Sequence, residues 1–116
     1  MKNVLYLIVI AVLVTSGCND EDILKEVPNC IKNKIEEIKE QDVWSPPAKI
    51  YRYQYNGETV YYLPSRCCDI MSTLYDENCS QICSPDGGIA GNGDGLCPDF
   101  FTSRTDERLI WEDDRK

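Results

Sequence analysis

The sequence predicts a small α+β domain stapled by disulfides, with one N-terminal helix packed on an antiparallel sheet of hairpins. Three observations carry that expectation. Apolar residues recur at helical spacing from Val27 to Ile38, two β-rich runs flank Asn56-Gly57, and six cysteines lie between Cys30 and Cys97.

The chain opens with a different signal. Lys2 precedes an unbroken apolar run from Val4 to Val14, and the small residues Thr15, Ser16 and Gly17 lead to Cys18. This order of charge, apolar core and small residues is that of a secretory leader. As a helix the run would rise only about 16 Å against a hydrocarbon core of about 30 Å, too little for a stable span. Thr15-Ser16-Gly17-Cys18 resembles the lipobox of bacterial lipoproteins, in which the cysteine is acylated and becomes the mature N-terminus. Residues 1–17 are therefore expected to be removed and Cys18 to carry palmitate-type chains, each buried methylene contributing about 0.8 kcal/mol to anchoring. The expected location is the outer membrane or cell surface, with the membrane touched through the lipid anchor only.

Residues 18–26 read as the lipidated cysteine and an acidic tether. Asp20, Glu21 and Asp22 resemble the surface-export signal of Bacteroidota lipoproteins, and a solvated linker has the same composition. The whole chain has a formal charge of -8, which becomes -9 once Lys2 leaves with the leader. So acidic a domain repels phosphate backbones, which argues against nucleic acid and for neutral or cationic protein or glycan partners.

The domain proper is expected over residues 27–101. Val27, Ile31, Ile35 and Ile38 form the apolar stripe of an amphipathic helix that Pro28 starts and Ser45-Pro46-Pro47 follows. Cys30 lies beside that stripe and can be stapled to whatever the helix covers. Next, KIYRYQYNGETVYYL, residues 49–63, reads as a hairpin, because Asn-Gly suits a type I′ turn in which both central residues need positive φ. That turn pairs Tyr55 with Glu58, Tyr53 with Val60 and Tyr51 with Tyr62 on one face. Gln54 then pairs with Thr59, Arg52 with Tyr61 and Ile50 with Leu63 on the other. One face is expected to pack on the helix, leaving tyrosines on the other as core filler or as an exposed contact surface. Thr73-Leu74-Tyr75 and Gln81-Ile82-Cys83 suggest a second, shorter hairpin. Residues 102–116 form a charged tail in which Leu109-Ile110-Trp111 can dock as an edge strand.

Apart from Cys18, the cysteines are Cys30, Cys67, Cys68, Cys79, Cys83 and Cys97, an even set that reads as a disulfide framework in an exported chain. Adjacent side chains diverge, so Cys67 and Cys68 are expected to bridge to different partners. A zinc or redox role for the pair belongs mainly to reducing compartments. Cys83 and Cys97 bracket SPDGGIAGNGDGLCPD, and a bridge between them would close a loop of about 15 residues and contribute about 3 kcal/mol.

That bracketed stretch holds five glycines and three aspartates. Asn92-x-Asp94-Gly95 matches the third, fifth and sixth positions of an EF-hand loop, but the first position falls on Ala90 and the twelfth on Phe101, so an EF-hand is excluded. A looser calcium site from Asp86, Asn92, Asp94 and Asp99 stays open beside ordinary tight turns, which use the same residues. A phosphate loop is excluded for want of a lysine. The chain contains no histidine, which removes the commonest general base. Catalysis would have to rest on carboxylates such as Asp86, Asp94 or Asp99, and the reading is that the protein is not an enzyme. A protease inhibitor presenting Asn78-Cys79-Ser80-Gln81 or the glycine loop is a further alternative.

VYYLPSRCCD and LYDENCSQICSPDGGIAGNGDGLCPDF resemble a family of small Bacteroidota lipoproteins known as a domain of unknown function. The resemblance covers about residues 28–101, with Cys67-Cys68-Asp69, Leu74-Tyr75-Asp76, Pro85-Asp86-Gly87-Gly88 and Gly93-Asp94-Gly95 as its specific elements. It implies envelope location and disulfide use, and it implies no catalytic residue.

Overall fold

A computed structural model describes residues 26–67 and 69–115. The leader, Cys18, most of the tether and Cys68 lie outside the described residues.

Helix α1, Asn29–Lys39, begins after Pro28, whose carbonyl accepts from the Ile31 and Lys32 amides. Ile31, Ile35 and Ile38 are its buried residues, as the stripe predicts. The last carbonyls of a helix have no amide further along it to bond. That of Ile38 accepts from the Gln41 amide at 3.0 Å, and the Arg115 guanidinium adds bonds to the carbonyls of Lys39 at 2.8 Å, Gln41 at 3.0 Å and Ile38 at 3.3 Å. Arg115 is held in turn by Asp113, whose residue is only 3% exposed.

Strands β1, Lys49–Tyr55, and β2, Glu58–Leu63, form the expected hairpin in the expected register from Tyr51↔Tyr62 to Tyr55↔Glu58. Asn56 and Gly57 take φ of 51° and 77°, the positive pair that a type I′ turn requires. The second hairpin is β3, Thr73–Tyr75, and β4, Gln81–Cys83. After the single-turn helix α2, Phe100–Ser103, the chain returns as β5, Thr105–Glu112. The five strands are ordered β4-β3-β2-β1-β5, and every neighbouring pair is antiparallel. Leu109-Ile110-Trp111 thus does dock at an edge, so the packed domain runs on to Asp113, beyond the boundary at residue 101.

Both faces of the sheet are covered. On one, Val27, Ile31 and Ile35 of α1 pack on Ile50, Tyr61 and Ile110. On the other, Tyr53, Tyr55, Val60, Tyr62 and Leu74 pack with Phe100 and the Cys83–Cys97 bridge. The second face decides between the two expectations for the tyrosines in favour of core filler, since Tyr53 is 2% exposed and Tyr55 and Tyr62 are each 7% exposed. Phe100 is the reason. Its ring meets those of Tyr53, Tyr55 and Tyr62 at centroid distances of 5.3–5.6 Å, mostly edge-on, filling the space above the hairpin.

Candidate functional site

The sheet's second face is roofed by residues 84–99, where the sequence places its candidate ligands. Each of the three aspartates is tied into the fold by its own contacts. Asp94 joins the two ends of the loop: Ser84 N donates to Oδ2 at 2.9 Å, Leu96 N donates to Oδ1 at 3.0 Å, and the Asp94 amide donates to the Ser84 carbonyl at 3.0 Å. Asp86 is locked to Ser72 by amide, carbonyl and hydroxyl bonds, and its Oδ1 accepts from Tyr62 OH at 2.8 Å. Asp99 stands at the start of α2, where Oδ1 accepts from Tyr55 OH at 2.6 Å and Oδ2 from Ser103 Oγ at 3.3 Å. Asn92 is exposed and bridges Gly87 through the backbone.

Two glycines are required by close approach as well as by φ. A Cβ on Gly93, at φ +63°, would meet the Ser84 carbonyl oxygen at 1.9 Å. On Gly87, at φ +83°, it would meet the Ile70 carbonyl oxygen at 2.6 Å. These contacts answer the compositional question locally: glycine lets the loop pass against neighbouring backbone, and aspartate satisfies the amides and hydroxyls left there.

The structure does not bring Asp86, Asp94 and Asp99 together. Among the described residues, no group of three or more Cys, Asp or Glu is arranged to hold a metal ion. Two of the carboxylates serve instead as acceptors for buried tyrosines. Burial, then the bond to Asp86, pushes the Tyr62 hydroxyl well above its ordinary pKa. The bond to Asp99, then burial, raises that of Tyr55, and the same bond holds the Asp99 carboxyl below its usual range. Tyr53 repeats the pattern with β5. Burial and its 2.6 Å bond to Glu107 raise it, while Arg104 donates to its oxygen at 3.2 Å and lies 4.9 Å from its ring centroid.

Among the described residues the disulfides are Cys83–Cys97, beneath the loop, and Cys30–Cys79, which staples α1 to the β3–β4 turn. These four cysteines pair among themselves, and Cys68 lies outside the described residues. Spatial proximity sets the pairs, because the helix covers the turn that carries Cys79. Cys67 is exposed in the connection after β2. The turn offered as an inhibitor loop is tight, with Asp76 Oδ1 accepting from the Asn78 and Ser80 amides, both at 2.9 Å.

A model of a domain of unknown function, DUF6970, matches residues 36–113. The chain belongs to the DUF6970 family. No curated protein and no solved structure matches it. The DUF6970 span takes in all five strands, α2 and the roofing loop, and it ends at Asp113, just after β5. Cys30 lies before the span and Cys79 inside it, so the first staple ties the domain to the helical turn that precedes the matched region.

Within the DUF6970 span lies a second arrangement that the sequence reading treated only as a helix stop. Trp44 is half-buried, and its indole nitrogen donates to Gln41 Oε1 at 3.0 Å. Arg66 stands 5.7 Å from the indole centroid and reaches the same Gln41 oxygen at 3.5 Å. A tryptophan next to Ser45-Pro46-Pro47 was the available signal, since a rigid proline turn exposes part of an indole that a helix or strand would bury.

Proposed function

We propose that the mature protein is a lipid-anchored module of the bacterial envelope that acts by binding a partner, not by catalysis. The observation that carries this reading is the pair of disulfides, Cys30–Cys79 and Cys83–Cys97. Such bridges persist in oxidising compartments and are rare in reducing ones. They agree with an apolar leader ending in Thr15-Ser16-Gly17-Cys18, which supplies both export and an acylation site. The emphasis on binding comes from the loop chemistry. Asp86, Asp94 and Asp99, the carboxylates best placed in sequence for catalysis, spend oxygens on Tyr62, Ser84, Leu96 and Tyr55.

The test is metabolic labelling with an alkyne fatty acid in a bacterial host, followed by envelope fractionation. The wild-type chain should carry label and sediment with membranes. Cys18→Ala should lose the label and keep its leader or enter the soluble fraction. Equal labelling of both chains, or recovery of unlabelled wild type from the cytoplasm, would overturn the proposal.

A further inference from the structure

Trp44 borders two shallow cavities. It lines both, together with Pro64 and Ser65. One cavity, about 120 Å³, is bounded by Pro46 and Pro47, and the other, about 200 Å³, by Ile70 and Met71. Ile70 and Met71 are 51% and 44% exposed, so the apolar lining opens to solvent. At the rim, Arg66 makes no ion pair with any described residue, although acidic residues outnumber basic ones by 20 to 12.

The geometry points to this groove as a docking site for an extended polypeptide segment of a partner protein, carrying two apolar side chains one residue apart and a neighbouring carboxylate. Side chains at i and i+2 of an extended segment lie on one face about 7 Å apart, which suits two adjoining cavities that share Trp44, Pro64 and Ser65, one side chain to each. The Arg66 guanidinium, without an ion pair among the described residues, supplies the complementary charge, and its planar fork suits a carboxylate. Proline and aliphatic lining favours a peptide over a sugar, whose hydroxyls need several polar partners. Trp44 is held at its nitrogen by Gln41, so little side-chain freedom is lost on binding. The groove also lies beyond the C-terminal end of α1. The chain enters at the other end of that 11-residue helix, about 16 Å away, which leaves the groove open in a protein tethered through its N-terminus.

This inference rests on the binding-module reading and is tested separately from it. A random heptapeptide phage library is panned on the whole chain, disulfides intact, in mild detergent, and clones are re-tested on Trp44→Ala and Arg66→Glu, whose folding is checked by thermal melts. Enriched peptides should share apolar-x-apolar with an Asp or Glu. They should bind Trp44→Ala about 30-fold more weakly, as for a truncated hot-spot tryptophan, and Arg66→Glu should select Lys or Arg in place of the acid. No enrichment, or peptides that bind both variants as well as wild type, would overturn the groove. In the second case the binding-module reading would stand. Capture of acidic oligosaccharides on a glycan array, lost in Trp44→Ala and unaccompanied by peptide enrichment, would also overturn it. Failure of Cys18 labelling would sink the anchor reading and leave the panning result intact.

Discussion

Gly93 offers the sharpest test of whether the glycine loop is built to fold. Alanine there has two costs that can be separated. The first is the left-handed backbone, φ +63°, which costs an L-residue about 1–2 kcal/mol. The second is the Cβ, which would sit 1.9 Å from the Ser84 carbonyl oxygen. Backbone must move to relieve that overlap, and the atoms that move are those of the reciprocal Ser84–Asp94 bonds, at 2.9 and 3.0 Å. One of those bonds has a charged acceptor and is expected to contribute about 1.5–3 kcal/mol, the other about 1 kcal/mol. With partial relaxation the total for Gly93→Ala is about 3 kcal/mol or more. Gly91→Ala is the control, since its φ is +78° and nothing lies within 4 Å of a Cβ there, leaving only the backbone cost. At about 4–8 °C per kcal/mol for a domain of this size, Gly93→Ala should lower the melting temperature by roughly 12–24 °C and Gly91→Ala by roughly 4–16 °C, always less than Gly93→Ala in the same assay. The assay is thermal unfolding by circular dichroism with disulfides intact. Equal shifts for the two variants would refute the close approach at Ser84 and the role given to Asp94.

The staples should differ in accessibility: Cys30 and Cys79 are half-exposed, whereas Cys83 and Cys97 are 1% and 5% exposed. Under increasing reductant with alkylation of the native protein, Cys30 and Cys79 should be modified first, and simultaneous modification of all four would contradict this burial order. Tyr53 and Tyr62 have folded-state pKa values above their unfolded ones, so their stabilisation is full below about pH 10 and is lost as pH rises through the folded values. Phenolate absorbance should therefore develop in two phases, the later coincident with alkaline unfolding, and a single ordinary titration would exclude the tyrosine–carboxylate contacts. The bond to Arg115 lowers Asp113 first of all, so its stabilisation is present above about pH 4 and is lost as pH falls through the folded value; Arg115→Met should flatten the acid limb of the melting curve. Melting curves in EDTA and in millimolar calcium should coincide, and a calcium-dependent rise abolished by Asp94→Asn would instead make the loop a metal site.

What could be read from the sequence was what local chemistry decides. Asn56-Gly57 fixes a turn, the turn fixes the register, and the register puts Tyr53, Tyr55, Val60 and Tyr62 on one side, with no distant information needed. The apolar stripe of α1 is similarly self-contained. What covers the tyrosine face was not legible, because alternation marks a face and is silent about its neighbour. Phe100 reaches that face only after the chain has passed through the second hairpin and the loop. Nor does a charged tail reveal that Arg115 will cap a helix 76 residues earlier in the chain. Cysteine spacing leaves the bridges open, and the structure decides them by laying the turn that carries Cys79 beside Cys30. The loop aspartates are conspicuous in sequence as candidate ligands, but the partners they have are hydroxyls and amides brought in by the fold, which composition does not record.

Tyrosine in the hairpin and aspartate in the loop become parts of one design when the contacts are followed. A sheet face built from phenylalanine could be roofed by apolar residues alone. A face built from Tyr53, Tyr55 and Tyr62 brings three hydroxyls to the rim of its core, and a buried hydroxyl without an acceptor costs more than a made bond returns. Glu107 of β5 and Asp99 and Asp86 of the roofing loop accept them one each, so the acidic loop supplies two of the three acceptors that the tyrosine sheet needs. Glycine then lets that loop lie close enough for the bonds to form, and the Cys83–Cys97 bridge limits how far it can open. This division of labour moves the search for a partner away from the residues that dominate the composition. It directs it to side chains that lie away from the tyrosine–aspartate contacts, foremost Trp44 and, beside it, Arg66, which makes no ion pair among the described residues.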